Sequence, residues 1–315
     1  MNESAERSPQ LVFLLGCTAS GKSAVSLELA ERLDAEILSV DSMQVYRRMN
    51  IGTAKPSAEE LLRVPHHLVD VAEPSEPFSV ARFVELADRA IADITSRGRR
   101  VLAVAGTPLY LMGLAYGMFE GPPADVAFRL ALRQRAEREG MAALHAELAA
   151  VDPDGAERIH LNDLKRIERA LEVWHLTGRP LTSQQQQWGA EAMRYPAIIV
   201  GMRRSREDAA RRINARVRSM VEQGLVEEVR GLAGQPPGLS EQARQALGYA
   251  EILAHLRGDT SLKEAVERIK IHTRQFAKHQ RTWFRKFHET RWLAVEPDQP
   301  VGEIADQLFG LLGEG

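Results

Sequence analysis

The sequence predicts an α/β fold, a parallel sheet flanked by helices and interrupted by an all-helical insertion. Three observations carry this. Short apolar runs of buried-strand character alternate with amphipathic helical patterns; the first run feeds directly into a glycine-bounded loop; and the stretch from Tyr116 to Tyr195 shows helical patterns alone.

The first strand is "LVFLL", Leu11 to Leu15. It is followed by Gly16, Cys17, Thr18, Ala19, Ser20, Gly21, Lys22 and Ser23, which fill the pattern G-x-x-x-x-G-K-[ST]. Each fixed position has a physical reason. The two glycines let the backbone turn so that several N–H groups converge on phosphate oxygens, Lys22 adds a point charge, and Ser23 offers a hydroxyl to Mg²⁺ at a helix N-terminus. The core is therefore expected to be P-loop NTPase-like.

"AEILSV" (Ala35 to Val40) forms a second strand and delivers Asp41, and "RVLAVAG" (Arg100 to Gly106) forms a third and delivers Thr107. Helical periodicity in "FSVARFVELADRAIADITSRG" connects them. In such sheets the ligand lies beyond the carboxyl ends of the strands, so both segments open toward the phosphate loop. The insertion holds three helical stretches, "AFRLALRQRAEREG", "MAALHAELAAV" and "NDLKRIERALEVWHLTG", with turn signals at "GPPAD" and "VDPDG". "AIIVGM" (Ala197 to Met202) then restores the sheet, Ser205 with Asp208 caps the next helix, and "RWLAV" near Trp292 is a weaker fifth strand. The expected division is 1–117 for the first part of the core, 118–196 for the insertion and 197–315 for the second part with a basic C-terminal helix.

Composition narrows the setting. The longest apolar runs are far below the length of a membrane span, and "MNESAERSPQ" has no apolar signal core, so no membrane contact and a cytoplasmic location are expected. A single cysteine, Cys17, excludes internal disulfides; its loop position reads as a small residue filling space. The net charge of −2 conceals an asymmetry: Gly201 to Trp292 holds 19 Lys and Arg against 11 Asp and Glu, leaving the remainder at −10. A basic segment in a near-neutral chain suggests a polyanionic partner.

Taken alone, the loop supports an ATP site, and with it a nucleotide kinase or an RNA-bound ATPase. Asp41, at a strand end beside the loop, suits either a metal-holding role or that of general base. The following "SMQVY" is unusual for an ATPase, because its amide, hydroxyl and aromatic groups suit reading of a base edge. Arg274, Lys278, Arg281 and Arg285 recur at spacings of four, three and four, on one helix face, while Phe276, Trp283 and Phe287 mark a second face expected to be mainly core. Lys165, Arg166 and Arg169 form another basic edge, with Leu164, Ile167, Leu171 and Trp174 inward. His66, His67 and Asp70 lack a third ligand at a recognised metal spacing and read as a structural loop.

Eight blocks in order, "GCTASGKS", "DSMQVYRRMNIGTAKP", "PHHLVD", "AGTPLYLMGL", "NDLKRIERALEVWHLTGRPLTSQQ", "RVRSMVEQGLVEEV", "LGYAE" and "TRQFAKHQRTWFRK", resemble the tRNA dimethylallyltransferases (tRNA isopentenyltransferases) from about Leu11 to Trp292. The resemblance implies transfer of a dimethylallyl group from dimethylallyl diphosphate to N6 of an adenosine beside the anticodon. It implies Thr18 to Ser23, Lys22 and Mg²⁺ on Ser23 as the cradle of the departing diphosphate, joined by Arg216. It also implies Asp41 as the base and Thr107 as the residue orienting the nucleophile or the carboxylate. The segments implied to face an anticodon stem-loop are Asp41, Ser42, Met43 and Gln44; Thr107 and Arg129; Lys165, Arg166, Ile167, Glu168 and Arg169; and Gln245, Ala246, Leu247, Gly248, Tyr249 and Ala250. A monomer is expected. The alternative within the same chemistry prenylates a free adenine nucleotide. Cys17 stands where the family usually has proline, and Ala105 and Pro108 replace glycines around Gly106-Thr107.

Overall fold

The structure, a computed structural model, describes residues 10–117, 121–184 and 193–313. The chain divides into two compact units, Met1–Ala115 with Met193–Gly315, and Tyr116–Ala192.

The first unit is built on a six-stranded sheet in the order β3-β2-β4-β1-β5-β6. Its strands are β1 (Leu11–Gly16), β2 (Ala35–Val40), β3 (His66–His67), β4 (Arg100–Ala105), β5 (Ala197–Arg203) and β6 (Arg291–Ala294). All pairings are parallel; Leu11 stands opposite Val101 on one side and Ala197 on the other. Every residue of β1 and β2 is buried, as uninterrupted apolar runs in a covered parallel sheet should be. Five strands match the sequence reading. The sixth, β3, has two residues, His66 and His67, beside Ile37 and Leu38, and is too short and too polar to leave a periodic signal.

The helices of this unit are α1 (Lys22–Leu33), α2 (Ala58–Arg63), α3 (Val80–Ser96) and α4 (Pro108–Tyr116) before the insertion. After it come α10 (Arg206–Glu222), α11 (Leu225–Gly234), α12 (Glu241–Arg244), α13 (Tyr249–Leu256), α14 (Leu262–Phe284) and α15 (Val301–Leu311). Leu27 and Leu29 of α1 and Ile304 and Leu308 of α15 share a core with Val12, Leu14 and Ile37 of the sheet. The Ser205 cap forms as expected, its hydroxyl accepting from the Asp208 N–H at 3.1 Å. Gly201 has a packing role: a Cβ there would lie 2.5 Å from the Trp292 ring.

The second unit holds α5 (Val126–Glu139), α6 (Met141–Val151), α7 (Pro153–Arg158), α8 (Leu164–Thr177) and α9 (Leu181–Gln184). Leu132, Leu144, Leu148, Ile167, Leu171 and Val173 form its core.

In the sheet of the first unit β4 lies between β1 and β2, so the loop after β4, Gly106-Thr107, stands between the phosphate loop and Asp41.

Candidate active site

The phosphate loop is held open from several sides. Ala19 and Gly21 adopt left-handed backbone angles, φ 61° and 95°, which turn the chain around the cradle. The Arg204 Nε donates to the Ser20 carbonyl at 2.8 Å and the Arg212 Nε to the Ala19 carbonyl at 3.0 Å. Arg204 is itself buried against the Asp208 carboxylate, 3.0 Å away. Neither arginine belongs to a motif in the sequence; the one signal for Arg204 is its place just past a strand end.

Not every amide of Thr18 to Ser23 points at a ligand, contrary to expectation. Thr18 N–H donates to the Gln280 Oε1 at 2.7 Å, and Ser20 N–H donates to the Cys17 carbonyl at 3.1 Å. That leaves the amides of Ala19, Gly21, Lys22 and Ser23 as those able to meet an anion, the last two in the first turn of α1 where no intrahelical acceptor exists. The Lys22 Nζ donates to the Cys17 carbonyl at 3.3 Å. Burial pushes the Lys22 ammonium down to about 8, opposed by Cys17 and Asp41. Burial also lowers Arg216, again opposed by Asp41, and raises the Cys17 thiol, so that cysteine is held in its neutral form.

Across from it stands Asp41. Its Oδ1 accepts the N–H groups of Met43 at 2.8 Å and Gln44 at 3.2 Å. Its Oδ2 faces Gly106, where a Cβ would lie 3.0 Å from that oxygen. A side chain at Gly106 would make the Asp41 carboxylate give by a few tenths of an ångström. The Thr107 Oγ1 accepts the Ser42 N–H at 3.0 Å and its hydroxyl donates to the Ser42 Oγ at 3.3 Å. Thr107 therefore holds the Asp41-Ser42 turn, and among the described residues its hydroxyl makes no cap to its own helix. Gln44 is a correction to the base-reading expectation. Its Oε1 accepts from Ser39 at 2.8 Å and its Nε2 donates to the carbonyls of Thr53 and Ala54 at 3.4 and 3.2 Å, so its amide braces the wall.

Behind this wall, the Glu228 carboxylate accepts the N–H groups of Asn50, Ile51 and Gly52 at 2.9, 2.8 and 3.1 Å and the Tyr249 hydroxyl at 2.5 Å. Tyr249, Ala246 and Gly248 are buried, while Gln245 and Ala250 are exposed and Leu247 is half-buried. The run Gln245 to Ala250 thus presents alternate residues, not a continuous face.

These groups converge. Thr18, Asp41, Thr107, Arg216 and Phe276 line a cavity of about 290 Å³, and an adjoining cleft adds Lys22, Ser23 and Gln280 to Asp41 and Arg216. Phe276 is 37% exposed and walls both spaces. The second aromatic face is therefore not mainly core: only Phe287 is buried, and Trp283 is half-buried beneath the Lys286 ammonium, 4.2 Å from the ring centre. Helix α14 ends at Phe284, so Phe287 no longer follows its face.

The basic residues of α14 and its C-cap Arg285 do share a face. Arg274, Lys278, Arg281 and Arg285 line one open hollow with Arg206. Arg274 donates to the Asn214 side chain at 2.8 Å, and among the described residues no carboxylate pairs with Lys278, Arg281 or Arg285. In the helical unit the charges are spent differently. Glu172 accepts from Arg129 and Arg169 at 2.7 and 2.6 Å, Glu168 from Arg133 at 2.8 Å, and Asp163 lies 3.3 Å from Arg166. Ile167 and Glu168 are buried, so of the run Lys165 to Arg169 only Lys165, Arg166 and part of Arg169 reach the surface. His67 Nε2 lies 2.7 Å from Glu36, and Asp70 pairs with Lys55 at 2.5 Å, so these side chains serve the loop.

Comparison with known proteins agrees with this layout. The family model described as IPP transferase matches residues 44–287, and that described as isopentenyl transferase matches 9–70. A tRNA dimethylallyltransferase of Geobacter metallireducens is 51% identical over 91% of this chain and 93% of its own. One from Shouchella clausii is 43% identical over 97% and 98%. The full-length tRNA isopentenylpyrophosphate transferase structure from Bacillus halodurans superposes with a TM-score of 0.68 at 40% identity, covering 96% of this chain and 97% of that one. A eukaryotic dimethylallyltransferase acting on tRNA gives 0.79 at 26% identity, covering 96% and 79%. With this extent of likeness along nearly the whole chain, the chain belongs to the tRNA dimethylallyltransferase (IPP transferase) family.

Proposed function

We propose that the protein transfers the dimethylallyl group of dimethylallyl diphosphate to N6 of the adenosine next to the anticodon in tRNA, releasing diphosphate. The observation that carries this reading is the facing of an anion cradle and a carboxylate across connected cavities that share Asp41 and Arg216. The allylic C–O bond breaks and its electron pair leaves with the diphosphate, where the amides of Ala19, Gly21, Lys22 and Ser23, the Lys22 ammonium and the Arg216 guanidinium receive the growing charge. The N6 lone pair forms the new C–N bond, and Asp41 accepts the proton N6 gives up. Thr107 fixes the turn that aims the carboxylate.

Mg²⁺ fits the residues present: Ser23 is exposed at the head of α1 and lines the same cleft as Asp41, a set of hard oxygen donors open to water. When bound, the ion would add positive charge to the leaving diphosphate, with Ser23 holding it. Lys278, Arg281 and Arg285, which no carboxylate pairs among the described residues, favour RNA over a free nucleotide as the acceptor. No described helix is long and apolar enough to cross a membrane. The reading takes the protein to be a cytoplasmic monomer.

The test incubates the protein with labelled dimethylallyl diphosphate, Mg²⁺ and an adenosine-containing anticodon stem-loop, with AMP and ATP as controls. Label is expected on the stem-loop. Label on AMP alone, or ATP hydrolysis without prenyl transfer, would refute the proposal.

A further inference from the structure

Gln280 stands on α14 among the basic residues, yet its own side chain faces inward and the residue is only 2% exposed. Its Oε1 accepts the Thr18 N–H at 2.7 Å and its Nε2 donates to the Gly106 carbonyl. From there the bonding continues. The N–H groups of Gly106 and Thr107 donate to the Val40 carbonyl at 3.1 and 3.0 Å, and Thr107 Oγ1 accepts the Ser42 N–H. One run of hydrogen bonds therefore joins the loops after β1, β4 and β2, the spatial order in which the sheet places them.

The carboxamide has a single orientation that satisfies both neighbours. Reversed, it would set its oxygen against the Gly106 carbonyl and its N–H₂ against the Thr18 N–H, leaving buried groups unpaired. It also removes Thr18 from the set of phosphate donors, so its effect on the diphosphate is through placement of the loop.

We propose that Gln280 is a positioning residue for the transfer reaction: it sets the separation between the leaving-group cradle and the Asp41 wall by clamping Thr18 to Gly106. This inference rests on the prenyl-transfer reading. Gln280 touches neither reacting atom. A misplacement of about 1 Å between reacting groups can cost on the order of 100-fold in rate, which is the scale at issue.

Two variants separate positioning from mere support. Gln280→Met is similar in length and removes both bonds. Gln280→Glu keeps the acceptor for Thr18 but donates to Gly106 only when its carboxyl is protonated. Prenyl transfer to the stem-loop, thermal unfolding and diphosphate binding by calorimetry are measured for each beside the unaltered protein. For Gln280→Met, kcat should fall about 100-fold, while both KM values and diphosphate affinity stay within about threefold and the protein remains folded. For Gln280→Glu, kcat relative to the unaltered protein should rise as pH is lowered from neutral, because protonation restores the donor. A folded Gln280→Met protein with kcat within about threefold of the original, or a Gln280→Glu ratio that does not change with pH, overturns the inference. An unaltered protein that transfers no label refutes the proposed function instead, so the two failures are distinguishable.

Discussion

Lys22 offers a prediction in which loss of function and gain of stability go together. Burial depresses its ammonium from 10.5 to about 8, so between those values the unfolded chain binds more protons than the folded one. The folded state therefore carries a penalty below about pH 8 that is relieved as pH rises toward 10.5. At neutral pH the displacement corresponds to at most about 3 kcal/mol. Lys22→Met keeps the aliphatic stem that packs against Gly16 and removes the buried charge. It also removes the hydrogen bond to the Cys17 carbonyl, a loss of about 1 kcal/mol, which leaves a net gain near 2 kcal/mol. For a unit of this size that amounts to a rise in melting temperature of about 4 °C. The assay is thermal unfolding of the ligand-free protein and its variant, with and without diphosphate and Mg²⁺. The variant should melt higher alone and gain nothing from diphosphate, whereas the unaltered protein gains about 3 kcal/mol at a hundredfold excess over its dissociation constant. The difference between the two ligand-free proteins should shrink as pH is raised above 8. A variant that melts no higher than the original, and is still stabilised by diphosphate, would refute the argument.

Other outcomes follow from single contacts. Asp41→Asn retains an acceptor for the Met43 and Gln44 amides, so diphosphate binding and melting temperature should hardly change while kcat falls about 10²- to 10⁴-fold; unchanged turnover would remove Asp41 from the base role. Gly106→Ala sets a methyl 3.0 Å from Asp41 Oδ2 and should lower kcat by about tenfold or more in a folded protein, read by steady-state kinetics. Replacing Lys278, Arg281 and Arg285 by Ala should flatten the salt dependence of stem-loop binding by about two to three in logarithmic slope, measured by titration at several ionic strengths, with little effect on diphosphate affinity. Glu36 is held down to about 2, chiefly by its hydrogen bond from Arg97 and also by His67. Its contribution to stability is present above its unfolded value near 4.5 and is lost as pH falls toward 2, so Glu36→Gln should flatten the acid-denaturation curve in that window.

Much of this was readable before the structure, and the division has a physical basis. The buried strands leave apolar runs, the phosphate loop leaves its glycines and Lys22, and the Ser205 cap leaves its hydroxyl, because each depends on neighbours close in sequence. What escaped depends on distant partners. Gln280 meets Thr18 across 262 residues, and the Arg212 Nε meets the Ala19 carbonyl across 193. A glutamine inside a basic helix gives no local hint of such a task. Gln44 misled for the opposite reason: its chemistry suits a base edge, and only the positions of Ser39, Thr53 and Ala54 show that its amide is already committed. The basic edge of α8 likewise looked open until Glu172 and Asp163 were seen beside it.

The Glu228 clasp has a bearing on how the protein is made. It gathers the amides of Asn50, Ile51 and Gly52 from 178, 177 and 176 residues upstream and takes the hydroxyl of Tyr249 from 21 residues downstream. A nascent chain that has emerged only as far as α10 contains the whole phosphate loop but lacks the carboxylate that braces the 50–52 loop. The Gly16–Ser23 loop is therefore synthesised long before Glu228, and the 50–52 loop gains its brace only once α11 has emerged.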